Sequence, residues 1–163
     1  MKYKGMANIM NIEFKKPSEK DGIEIAAWKY DGEYSFYNND KTDAKKEWAI
    51  NIYKEENAFA MYNEKDELIG NCSFDYDDDD EEFMLGVQMR PDLTGKGMGT
   101  ETVKSILDFG REKYRFNSIE LLVAKFNKRA ISVYEKLGFE KTDEFVWNVN
   151  DEEKEFIAMK KAY

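Results

Sequence analysis

Residues Met89 to Val103 read MRPDLTGKGMGTETV, and the glycines at positions 95, 97 and 99 constrain the fold more than any other feature of the chain. Ahead of them, Phe83 to Met89 has the length and apolar character of a strand. Behind them, Val103, Ile106, Leu107, Gly110 and Tyr114 recur at helical spacing, which predicts an amphipathic helix from about Gly97 to Tyr114 with one buried stripe. Glycine has no Cβ, so alternate glycines open backbone conformations closed to other residues and let neighbouring N–H groups converge on one point. A strand, a glycine turn and a helix N-terminus together favour negative charge, because the first amides of a helix lack partners and its dipole is positive there. The stretch therefore reads as a phosphate cradle, with a tight structural turn as the alternative. Neither common nucleotide pattern fits. Lys96 lies between the glycines and not after the last one, as a P-loop requires, and Gly95-Lys96-Gly97-Met98-Gly99-Thr100 lacks the final glycine of the dinucleotide fingerprint.

The remaining pattern is that of one α/β domain spanning the whole chain. Asn11 to Lys16 alternates as a first strand, and Pro17-Ser18 opens a helix from Glu19 to about Lys29. The aromatic stretch Trp28 to Asn38 has no clean period and reads as a structured loop or short helical turns. Its rings pin the loop to the core, or some of them (Tyr34 and Tyr37 foremost) wall a ligand pocket. A helix follows over Lys41 to about Tyr53, then a hairpin of Ala58 to Tyr62 and Leu68 to Tyr76. The run DYDDDDEE, Asp75 to Glu82, lacks the glycine and terminal glutamate of an EF-hand loop and reads as a solvated hairpin tip. Beyond the glycine turn, a strand over Ser118 to Val123, a helix over Asn127 to Leu137 and strands near Phe139 to Asn148 and Glu155 to Lys160 complete the chain.

Composition narrows the chemistry. With no histidine and a single cysteine, Cys72, the chain cannot use a Ser-His-Asp or Cys-His arrangement, an internal disulfide or a histidine zinc site. Acid–base work falls to carboxylates, tyrosine, lysine or water. Thirty-four acidic against twenty-five basic residues give a net charge of −9, which disfavours nonspecific contact with nucleic acid or anionic lipid and suits an amine-bearing ligand. No run reaches the roughly 18 to 20 apolar residues of a membrane span. The opening MKYKGMANIMNIEF lacks a signal core and cleavage site, so a cytoplasmic protein, monomeric or homodimeric and without metal, is expected.

Two stretches carry a family resemblance. VQMRPDLTGKGMGTETV resembles motif A of the GNAT superfamily of N-acetyltransferases, [QR]-x-x-G-x-[GA], with Thr94, Gly95, Lys96, Gly97, Met98 and Gly99 at the six positions; Thr94 departs from the usual Gln or Arg. AKFNKRAISVYEKLGF is similar to motif B, N-x-x-[AS]-x-x-x-Y-x-x-x-G-F, through Asn127, Ala130, Tyr134, Gly138 and Phe139. The resemblance implies an α+β acyl-CoA N-acyltransferase fold: a mixed sheet of six or seven strands, about four flanking helices, and strands 4 and 5 splayed apart. It further implies acetyl-CoA as cosubstrate, with Val87, Gln88 and Met89 at the acetyl and pantetheine end, Gly95 through Thr100 at the diphosphate and Asn127 on the pantetheine arm. Lys128 and Arg129 would assist at the adenosine phosphates, and Tyr34 and Tyr37 would line the acceptor side. An amine would attack the thioester directly through a tetrahedral intermediate, a strand N–H near Met89 would stabilise the oxyanion, and Tyr134 would protonate the leaving sulfur. Many relatives carry a glutamate that acts as the base where this chain has Met84 or Leu122; Glu82 is the candidate substitute, with Glu24 and Glu33 behind it, and an amine of lowered pKa or a water chain would make a dedicated base unnecessary. The missing strand carboxylate leaves an acyl-CoA-binding module with little turnover as the alternative function.

Overall fold

The computed structural model describes residues 11–163; the opening segment weighed above as a possible leader lies outside them. Strand β1 (Glu13–Lys15) leads to helix α1 (Glu19–Ala26), a 3-10 turn over Gly32–Tyr37, helix α2 (Asp43–Ile50) and a further 3-10 turn over Ile52–Lys54. Strands β2 (Ala58–Tyr62), β3 (Leu68–Asp77) and β4 (Glu82–Met89) form a meander, followed by helix α3 (Gly99–Tyr114), strand β5 (Ser118–Ala124) and helix α4 (Lys128–Lys136). Strands β6 (Glu140–Val149) and β7 (Glu152–Ala162) close the chain. The seven strands form one sheet in the order β1-β2-β3-β4-β5-β7-β6, antiparallel throughout except where β4 meets β5. This is the mixed sheet and helix count that the resemblance implies.

Local chemistry sets the helix starts. Ser18 and Asp21 exchange hydrogen bonds in a capping box at α1, the Thr42 hydroxyl accepts from the Lys45 amide at α2, and the Asn127 Oδ1 accepts from the Ala130 amide at α4. Helix α1 stops at Ala26, three residues short of the expected end. The Trp28 amide closes a tight turn on the Ile25 carbonyl, which lets the chain leave the helix and bury the indole against α1, α2 and β2.

Two apolar layers sandwich the sheet. On one side Phe59, Ile69, Phe74, Ile119 and Leu121 pack beneath α3, whose stripe of Val103, Ile106, Leu107 and Gly110 is buried as its periodicity predicts. On the other side Ala58, Ala60 and Leu68 receive Ile25 and Trp28 of the α1 segment together with Ala49 and Ile52. The acidic run forms the β3–β4 hairpin tip, where the Asp77 carboxylate accepts the Asp79 amide at 2.9 Å. Among the described residues no grouping of Cys, Asp and Glu has the arrangement of a metal site, and no helix is long and apolar enough to cross a membrane.

Candidate active site

The site begins where two strands part. β4 and β5 are registered only at Phe83 with Ile119 and Met84 with Glu120. Beyond that point β4 stays paired to β3 as far as Met89, and β5 stays paired to β7 as far as Ala124, so the two strands diverge while each keeps its other neighbour. The Arg90 amide donates to the Ile69 carbonyl at 2.8 Å, which fixes the hydrogen-bonding phase of β3 and β4. By the alternation of an antiparallel ladder, the main-chain groups of Gln88 and Gly86 then face β3, while those of Leu85, Val87 and Met89 face the gap. One of these is engaged: the Tyr30 hydroxyl donates to the Met89 carbonyl. The Val87 and Met89 N–H groups and the Val87 carbonyl present a free strand edge to a narrow ligand.

At the top of the gap lies the glycine turn. Gly95 has φ +71° and Gly97 φ +76°, both in the left-handed region, so the alternation read from the sequence is a conformational requirement at these two positions. The turn is held from below by Arg90, which grips Asp92 through two N–H groups at 2.6 and 3.1 Å and donates to the Leu68 carbonyl at 3.0 Å. The Thr94 hydroxyl donates to the Pro91 carbonyl at 2.8 Å, so this departure from the motif serves the turn itself. Helix α3 starts at Gly99 with no described side chain capping its first amides, unlike α1, α2 and α4. Those amides, the helix dipole and the nearby Lys128 and Arg129 concentrate positive potential inside an acidic protein.

Gap and turn open into one cleft of about 860 Å³. Of the residues singled out by sequence, Val87, Gln88, Met89, Thr94, Gly95, Gly97, Met98, Gly99, Thr100, Asn127, Tyr134, Tyr34 and Tyr37 all line it, while Lys96 of the same turn does not. Of the rings in the aromatic loop, Tyr34 and Tyr37 border the cleft, whereas Trp28 and Phe36 are buried in the core. The Gln88 side chain accepts from Asn39 at 3.1 Å and Asn71 at 3.2 Å, which turns it toward the α1 layer and away from the side occupied by Val87 and Met89. Asn127 caps α4 with its oxygen and donates from its nitrogen to the Tyr37 hydroxyl at 3.1 Å.

Tyr134 is half-buried at the cleft wall against Phe139, with ring centroids 5.6 Å apart, and its hydroxyl makes no hydrogen bond with a described residue. Burial, and after it Tyr37, push its proton affinity above the ordinary tyrosine range, so the group keeps its proton at neutral pH. The α4 stripe of Ala130, Val133, Tyr134 and Leu137 packs against the core but contains no fully buried residue, because its outer margin forms the cleft.

Glu82 is not brought to this cleft. It sits at the closed end of β4, where its carboxylate meets Lys160 at 2.8 Å and accepts the Ser118 hydroxyl at 2.8 and 3.0 Å. Alternation correctly puts Glu82 on the face of Met84, but the strands separate only after Met84, leaving Glu82 beyond the gap. Glu24 and Glu33 are exposed and do not line the cleft. Sequence reasoning omitted Asn39 and Lys45 from the site and took Tyr30 only as one ring of the aromatic loop. Tyr30 and Asn39 reach it through bonds to Met89 and Gln88, distant in sequence, and Lys45 lies half-buried on α2 with its amine drawn below the ordinary lysine range by burial and by Lys41.

The comparison with known families now bears directly on this geometry. Residues 11–140 match the model of the acetyltransferase (GNAT) domain. The chain belongs to the GNAT acetyltransferase family. Among curated GNAT relatives, it is 29% identical over 94 residues to an uncharacterized N-acetyltransferase, p20, from Bacillus licheniformis, a stretch covering 56% of this chain and 53% of that protein. It is 39% identical over 49 residues to the spermidine N(1)-acetyltransferase of Escherichia coli, covering 30% of this chain and 26% of that protein. The matched stretches therefore span about half, or less, of these relatives. A GNAT family acetyltransferase structure from Bacillus anthracis superposes with a TM-score of 0.72 at 16% identity, covering 93% of this chain and 94% of that one, a likeness of fold.

Proposed function

We propose that this protein transfers the acetyl group of acetyl-CoA to a primary amine. The observation that carries the reading is the continuity of the cleft: an open edge of β4 runs directly up to two left-handed glycines and a helix N-terminus uncapped by any described side chain. A diphosphate attached to a thin amide-bearing arm fits both parts. The Gly95 to Thr100 amides would hold the diphosphate, and the Val87 and Met89 main chain would pair with the arm as a strand does. Acetyl-CoA, when bound, supplies an activated thioester. The Met89 or Val87 N–H would stabilise negative charge on the acyl oxygen, and the Tyr134 hydroxyl would give a proton to the departing sulfur.

For the base, no described carboxylate lines the cleft, and Glu120, beside the point where β4 and β5 part, is the residue to examine in place of Glu82. It occupies the last registered pair before the strands part, on the Met84 face. Burial raises its proton affinity against the pull of Lys160, which is committed to Glu82, and the neighbouring carboxylates Glu82, Asp80 and Asp77 raise it further. A carboxylate so shifted is better matched to accepting a proton near neutrality.

A polyamine is the acceptor class we favour. Support comes from the net charge of −9, from Asp75 and Glu120 flanking Met84 in one cross-strand row, and from the partial match to a spermidine N(1)-acetyltransferase. The test is release of free thiol from acetyl-CoA with a panel of polyamines, aminoglycosides, amino acids and peptides. Turnover with a polyamine is expected. Tight CoA binding without turnover across the panel would favour an acyl-CoA-binding module, and absence of heat when CoA is titrated by calorimetry would remove the reading altogether.

A further inference from the structure

Arg129 makes no ion pair with a described carboxylate. Its guanidinium instead lies over the Tyr34 ring, 4.1 Å from the centroid, and its Nε–H donates to the Tyr34 hydroxyl at 3.1 Å. The other end of the guanidinium is packed on Gly95: a Cβ built there would collide with Nη1, so the missing side chain is what admits the charge to the rim of the turn. Tyr34 is itself fixed, meeting Phe126 edge-on at 5.6 Å, and Phe126 contacts Phe36 and Tyr37 of the same 3-10 turn. The result is a chain of contacts from an aromatic anchor, through one tyrosine, to a cation poised above the anion seat.

We infer that Tyr34 is a positioning residue for phosphate recognition, holding Arg129 over the glycine turn so that its free N–H groups meet a phosphate of CoA. The inference rests on the acetyl-CoA reading above and changes the role expected for Tyr34, which the sequence suggested as an acceptor contact. Arginine suits the task because its planar fork can stack on a ring through one face and still bond an anion through its edge. A long side chain left free at a helix start would have to be ordered by the ligand; one already stacked loses less freedom on binding. With Nε taken by Tyr34 and Nη1 against Gly95, the Nη2 end of the guanidinium is left for a phosphate.

The test is calorimetric binding of CoA, of 3′-dephospho-CoA and of pantetheine to the wild type and to Tyr34→Phe, Tyr34→Ala, Arg129→Ala and the Tyr34→Ala/Arg129→Ala double variant. Removing Arg129 should weaken CoA by roughly 10- to 100-fold, the range for a hydrogen-bonded charge. Tyr34→Ala should weaken it by roughly 3- to 10-fold, as expected for a lost ring–cation contact and its bond, with Tyr34→Phe smaller. Neither variant should change the affinity for pantetheine, which carries no phosphate, and the double variant should match Arg129→Ala alone. If the Tyr34 effect vanishes with dephospho-CoA, the partner is the 3′-phosphate; if it persists, the diphosphate; both support the inference. It is overturned if Tyr34→Phe and Tyr34→Ala bind CoA like the wild type, if they weaken pantetheine as much as CoA, or if the Tyr34 and Arg129 losses add. A wild type that binds no CoA would overturn the acetyl-CoA reading, and this inference with it.

Discussion

Gly97→Ala isolates the conformational demand of the glycine turn from every packing effect. The residue sits at φ +76°, and a Cβ built on it meets no heavy atom within 4 Å. Alanine therefore brings no clash, only the left-handed cost of an L-residue, about 1–2 kcal/mol. That cost must appear somewhere. If the turn keeps its shape, the folded state is destabilised by that amount, which for a chain of this size lowers Tm by roughly 2–8 °C while CoA affinity is preserved. If the turn instead relaxes to a right-handed conformation, Tm is spared, the amides around residue 97 rotate away from the seat, and binding must restore the strained shape. The same 1–2 kcal/mol then shows as roughly a 5- to 30-fold rise in the CoA dissociation constant. Thermal unfolding and calorimetry on one preparation measure both quantities, and the two losses together should come to about 1–2 kcal/mol. An alanine variant with wild-type Tm and wild-type affinity would refute the claim that this position must be left-handed for the site to work.

Tyr134→Phe removes a hydroxyl that has no hydrogen bond with a described residue, so Tm should hold to within about 0.5 kcal/mol equivalent and CoA should bind, while turnover falls by roughly 10²- to 10⁴-fold. Retained turnover in the steady-state assay would take the general acid elsewhere. Glu82→Gln should leave CoA binding unchanged and destabilise the fold by about 1–2 kcal/mol in denaturant titration, since Glu82 is buried but its partner Lys160 is 40% exposed. Burial pushes the Glu82 carboxyl up, the bonds from Lys160 and Ser118 and the lysine charge outweigh it, and the net direction is down. Its contribution is then complete above the ordinary glutamate range and lost as pH falls through the lower folded value, so wild type and variant should converge only in acid. Gly110→Ala should lower Tm although alanine is the better helix former by about 1 kcal/mol. Its Cβ would collide with the Phe74 ring, which is fully buried among Phe59, Phe109, Tyr114 and Phe116, and overpacking there costs about 1–3 kcal/mol; a raised Tm would show that the ring can yield.

What could be read from the sequence was local, and what escaped it was fixed by distant contacts. The helix over Gly99–Tyr114 declares itself because its apolar stripe repeats every three to four residues, and the turn before it because glycine alone tolerates φ near +70° at two positions. The Asn127 cap and the Gly138 stop bound α4 by the same local chemistry, Gly138 at φ +95°. Misplacing Glu82 has a different origin. Strand alternation put it on the correct face, but whether a β4 residue borders the cleft depends on where pairing with β5 ceases, and β5 lies beyond the whole of α3 in the chain. No local signal marks that point.

The Tyr34–Arg129 contact joins positions 95 apart in sequence, so neither residue's neighbours hint at it. At the start of a helix an arginine reads as a solvated charge, and in an aromatic loop a tyrosine reads as packing; each reading is locally sound. Only their juxtaposition over Gly95 sets the pair at the rim of the glycine turn. That Arg129 pairs with no described carboxylate suits this role. A carboxylate on Arg129 would neutralise the potential that the helix N-terminus and the glycine amides build together, and an incoming phosphate would have to displace it. Stacking on a ring holds the guanidinium in place while leaving its charge unspent.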